Sequence, residues 1–88
     1  MTKPEINKDS NQELRKRLKL ILHNDQHNTY HYVASCLSDI CEFDPVQAEQ
    51  LTLLAHYTGK AVIREGHSSY LTVLKEEFIL RGLAVTLE

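Results

Sequence analysis

The chain has 88 residues, 42% of them hydrophobic and 25% charged, with a formal net charge of −2. That length is one domain, large enough to fold without a metal or a disulfide framework. The charge balance gives no general attraction to nucleic acid or anionic membranes, and no apolar run approaches the roughly 20 residues of a membrane span.

Residues Met1 to Arg15 are rich in Lys, Asn, Asp, Glu and Gln and almost free of apolar side chains. Such a segment buries too little surface to offset its ordering entropy. Residues 1–15 therefore read as a flexible N-terminal extension of a core domain spanning residues 16–88. Met1-Thr2-Lys3-Pro4-Glu5 lacks the apolar centre of a secretory signal, so the chain reads as cytoplasmic.

Arg17 to His23 alternates, with Leu18, Leu20 and Leu22 on one face, as a half-buried strand does. Asn24 to Asn28 breaks it, and Asn28 or Thr29 can cap a helix. In that helix Tyr30, Val33, Leu37 and Ile40 recur at helical spacing. Asp44-Pro45 with Gln47 is a capping-box arrangement that starts a second helix. Its expected buried stripe is Ala48, Leu51, Leu54 and Ala55. Gly59 stops it, and Lys60 to Arg64 reads as a second strand, with Glu65-Gly66 as a turn. Ser68 or Ser69 then caps a third helix carrying Leu71, Leu74 and Phe78. Gly82 ends it, and Leu83 to Leu87 alternates as a third strand. The order β-α-α-β-α-β predicts an α+β fold. It is a two-layer sandwich with a three-stranded antiparallel sheet and the helices on one face.

Chemistry concentrates in two places. Asn24-Asp25 puts an amide and a carboxylate where an apolar strand stops, and His56 adds an imidazole near the end of the second helix. Acid, amide and imidazole together suit a cationic amine, although Asn and Asp after a strand are also ordinary turn residues. Cys36 and Cys41, five apart in one helix, suit a disulfide poorly and read as packed thiols. With no CxxC and no acidic residue after His27 and His31 as in a zinc-protease helix, no metal or other cofactor is expected.

Strand-Asn24-Asp25-x-x-Asn28-Thr29, the helix with Val33, and Ala55-His56-Tyr57-x-Gly59-Lys60 resemble the ClpS family of ATP-dependent Clp protease adaptors. The resemblance spans about Arg17 to Glu88. It implies a non-enzymatic adaptor that binds N-degron substrates by a bulky apolar first residue (Phe, Tyr, Trp or Leu). The adaptor delivers them to a Clp AAA+ unfoldase, whose N-terminal domain it contacts. Carried over by position, Asn24, Asp25, Asn28 and His56 hold the substrate's free N-terminus. Tyr30, Val33, Ala55 and Leu83 line the hydrophobic pocket, and the polar extension takes part in delivery. Asn28 stands where many relatives have Thr, and Tyr30 where many have Met. The third helix is shorter than in well-known bacterial members, so the unfoldase-docking surface does not transfer residue by residue.

Two other readings compete. A protein-interaction module with the fold of the ribosomal stalk C-terminal domain would share the architecture but lack an Asn-Asp/His pocket. An enzyme could use Asp25 and His56 as an acid/base pair. Against that, the chain has no nucleophile elbow and no Gly-rich phosphate loop.

Overall fold

The structure is a computed structural model that describes residues 16–88; the expected N-terminal extension lies outside them. Its centre is β1 (Arg17–His23), flanked on both edges by antiparallel partners, β2 (Lys60–His67) and β3 (Val85–Leu87), in the order β2-β1-β3. Between β1 and β2 run α1 (Tyr30–Cys41) and α2 (Pro45–Thr58), and α3 (Ser68–Leu80) joins β2 to β3. This is the α+β order expected from the sequence.

A central strand explains the Leu-Ile-Leu run. Leu20 and Leu22 point into the cluster formed with Val33, Leu37, Ala55, Leu71 and Phe78, and Leu18 packs at its edge. Ile21 is also buried, although alternation turns it to the opposite face. There it pairs across the strands with Val62 and Thr86. A register shift between Leu20 and Ile21 marks a β-bulge against β2.

The helix signals in the sequence have their expected physical partners. The Thr29 hydroxyl accepts the backbone N–H of Tyr32 at 3.1 Å, and the Asp44 carboxylate accepts that of Gln47 at 2.9 Å. Gly59 closes α2 at φ 99°, in the left-handed region where glycine has no Cβ penalty. After α1 the same conformation falls on Glu42, at φ 60°.

Four expectations need correction. Glu65-Gly66 is no turn: both residues continue β2, opposite Lys19 and Leu18. Gly66 lies under the start of α3, where a Cβ would meet Tyr70 at 3.4 Å and Leu71 at 3.8 Å, ordinary packing distances. The cap position of α3 is His67, and Ser68 is already helical. In α2 the buried face is Ala48, Thr52 and Ala55, while Leu54 is exposed and Leu51 only half-buried. Apolar character misjudged this helix because the face that meets the sheet needs small side chains. The third strand is shorter than expected, since Leu83 and Ala84 precede it and the Leu83 N–H bonds back to Phe78.

Arg64 ties the layers together at the far edge. Its guanidinium donates to the Cys41 carbonyl at 3.1 Å and the Tyr70 hydroxyl at 2.9 Å, and lies 5.0 Å from the Phe43 ring centroid. Cys36 and Cys41 are both free and buried, as packed thiols are. Burial pushes the Cys41 thiol above its ordinary value, against the opposing pull of Arg64.

Candidate functional site

Where β1 ends, the chain turns over the C-terminal half of α2 and leaves a cleft of about 270 Å³. One wall is the loop Asn24, Asp25, Gln26 and Asn28. The other is the α2 face of Thr52, Ala55 and His56, with Leu22, His23, Tyr30 and Val33 completing the lining. The Asn24 N–H bonds to the Gly59 carbonyl at 2.9 Å, which anchors the loop beside the end of α2.

Asp25 organises this loop. Its Oδ1 accepts the backbone N–H groups of His27 and Asn28, each at 2.8 Å, and its Oδ2 accepts the Asn28 side-chain amide at 3.2 Å. Asn28 in turn donates to the Gly82 carbonyl at 2.9 Å, so one amide links the loop to the end of α3. Burial acts to raise the Asp25 pKa. The Asn28 backbone and side-chain donors, the His27 N–H and the charge on His27 together outweigh it. The carboxyl is held below its ordinary value of 3.8 and is an anion at neutral pH.

The other polar groups keep their bonding capacity. Among the described residues, the Asn24 side chain and both ring nitrogens of His56 have no protein hydrogen-bond partner; the His56 ring only meets that of Tyr57, edge-on at 5.1 Å. Both residues are exposed, so water satisfies them in the free protein. Carboxylate, amide and imidazole therefore face one slot, with Leu22, Val33 and Ala55 on its apolar side and Thr52 among them.

Seven of the eight residues singled out from sequence line this cleft: Asn24, Asp25, Asn28, Tyr30, Val33, Ala55 and His56. Leu83 does not. It is packed in the core cluster, and the apolar side chains that line the cleft are Leu22, Val33 and Ala55. Tyr30 stands half-exposed at the rim with its hydroxyl 3.5 Å from the Glu49 carbonyl. Desolvation, Glu49 and Tyr57 all push its phenol pKa upward. Sequence reasoning missed Leu22, His23, Gln26 and Thr52. The signal for Thr52 was present, because it precedes Ala55 by three and His56 by four and so shares their helix face.

The model of the family described as ATP-dependent Clp protease adaptor protein ClpS matches residues 13–79. The chain belongs to the ClpS family. It is 32% identical over 68 residues to the ATP-dependent Clp protease adapter protein ClpS of Thermosynechococcus vestitus, covering 76% of this chain and 72% of that one. Among solved structures, Agrobacterium tumefaciens ClpS2 bound to L-phenylalaninamide superposes with a TM-score of 0.78 at 24% identity. That match covers 84% of this chain and 96% of the other, and it shows that the fold is the ClpS fold. Membership makes this chain an adaptor of the ATP-dependent Clp protease. Among the described residues no helix is long and apolar enough to cross a membrane.

Proposed function

We propose that this ClpS-family chain is a non-enzymatic adaptor that captures proteins by a free, bulky hydrophobic N-terminal residue. It hands them to a Clp AAA+ unfoldase by docking on the unfoldase's N-terminal domain. The observation that carries the reading is the pairing of an apolar slot with unspent polar groups at its mouth. A free α-amino group, with a pKa of about 7.7–8.0, is largely cationic at neutral pH and offers three donors. Asp25 supplies the charge and an acceptor. Asn24 can accept from the amine and donate to the first carbonyl, and neutral His56 can accept through either ring nitrogen. The slot of Leu22, Val33 and Ala55 buries the first side chain, worth about 1.5–3 kcal/mol.

The ligand of the solved relative, L-phenylalaninamide, has the same parts: a free amine, an aromatic side chain and a first carbonyl. By this reading Phe, Tyr, Trp and Leu are the favoured first residues, and residues 1–15 take part in delivery and not in capture.

Calorimetry with matched peptides that begin in Phe, with the amine free or acetylated, tests the proposal. Acetylation removes the charge and two donors, adds bulk and strands Asp25 beside a desolvated slot. Losing such a contact costs about 2–5 kcal/mol, or roughly 30-fold to several thousand-fold in affinity. Equal affinities would end the reading. Deleting residues 1–15 should preserve peptide affinity while slowing degradation by the Clp machine; a large loss of affinity refutes that division of labour.

A further inference from the structure

Thr52 is the one buried polar residue among the described residues, 6% exposed, and it lines the cleft. Resting on the adaptor reading above, we infer that Thr52 tunes the slot toward a first side chain that carries a hydrogen-bond donor, tyrosine ahead of phenylalanine.

The Thr52 hydroxyl proton is already committed, donated to the Ala48 carbonyl at 2.8 Å. A hydroxyl has one proton and two acceptor lone pairs, so what remains is acceptor capacity. Its neighbours in the slot, Leu22, Val33 and Ala55, have nothing polar in their side chains. The Tyr30 hydroxyl, at the rim, reaches for the Glu49 carbonyl. Away from His23, His56 and the polar loop of Asn24 to Asn28, the Thr52 oxygen is the acceptor that this apolar side of the slot offers an entering donor.

Position agrees with chemistry. Thr52 lies four residues before His56, about 6 Å along the helix axis at the usual rise per residue. A first residue whose amine sits among Asn24, Asp25 and His56 carries a phenol oxygen a comparable distance from its Cα. The size of the preference follows from the committed proton. Sites that reject an analogue strongly do so because a buried group is left unpaired. Here phenylalanine leaves only lone pairs unfilled, so it is accepted, and the preference is that of one neutral hydrogen bond.

The test is calorimetry on the full chain with peptides that differ only in their first residue, Tyr or Phe, each free and acetylated. The wild type should bind the free Tyr peptide roughly three- to ten-fold more tightly than the free Phe peptide. Thr52→Val, close in shape but without the oxygen, should bring the Tyr/Phe ratio to about one or below, while Thr52→Ser should keep it above one. Thr52→Ala replaces the valine variant if that variant loses its melting transition. Equal wild-type affinities for Tyr and Phe, or a ratio unmoved by removing the oxygen, overturn the inference. If free peptides outbind acetylated ones without any Tyr preference, this inference falls and the adaptor reading stands. If acetylation changes nothing, both fall.

Discussion

Asp25→Asn separates two jobs that one carboxylate does. Oδ1 and Oδ2 together accept three bonds that hold the loop from Asn24 to Asn28, and the same group carries the negative charge of the cleft. In the asparagine variant the amide oxygen can still accept from the His27 and Asn28 N–H groups, now as neutral bonds. Its NH₂ meets the Asn28 amide as donor against donor, so that bond is lost. Charged hydrogen bonds contribute about 1.5–3 kcal/mol and neutral ones about 0.5–1.5. For this half-exposed loop the loss of stability is about 1–2 kcal/mol, a fall in Tm of roughly 4–16 °C. Asp25→Ala loses all three bonds and should cost about 2–4 kcal/mol, still within the stability of an ordinary domain. The loss in binding is larger than the loss in folding. Without the charge, affinity for a free Phe peptide should fall at least about 30-fold, while the weak binding of the acetylated peptide stays the same. Thermal melts and calorimetry on the same samples read both effects. An Asp25→Asn protein that melts lower yet binds the free peptide at full strength would show that the carboxylate only shapes the turn.

The pH dependence of stability follows from the same group. Its folded pKa is depressed below 3.8, so its contribution is present above the unfolded value and is lost as pH falls through the folded one. Wild-type Tm should therefore drop as pH falls below 3.8, and Asp25→Asn should flatten that drop; parallel curves would refute the assignment. Binding has the opposite limit: raising pH from about 7 to about 9.5 neutralises the peptide amine and should weaken affinity, with no such loss for the acetylated peptide. Tyr30 at the rim should disfavour branching at Cβ, so peptides beginning in Ile or Val bind below Leu. Tyr30→Ala should narrow that gap, and an equal loss for all peptides would make Tyr30 a packing residue. Glu42 sits at φ 60°, where a non-glycine residue costs roughly 1 kcal/mol. Glu42→Gly, partly offset by its freer unfolded chain, should raise Tm by about 2–4 °C, and a lower Tm would mean that Glu42 makes contacts worth more than the strain.

What the sequence determined by itself was local. Alternation marked β1, and Thr29, Asp44-Pro45 and Gly59 marked helix ends, because capping and left-handed closure depend on a few adjacent residues. The chemistry of Asn24, Asp25 and His56 was legible for the same reason, since it resides in side-chain types and their order along the chain. Tertiary structure decided the rest. Glu65-Gly66 looks like a turn, yet pairing with β1 continues through it, because Lys19 and Leu18 stand opposite. Leu54 is more apolar than Thr52, yet Thr52 is the buried one, because close packing of α2 over the sheet selects for size and direction before hydrophobicity. Leu83 lies in the core cluster just before β3, its N–H bonded back to Phe78. Asp25 builds its loop through neighbours two and three residues on, but the cleft it charges forms only when His56 is brought beside it. The Asn28 amide reaches Gly82, 54 positions away, and no local pattern encodes that bond.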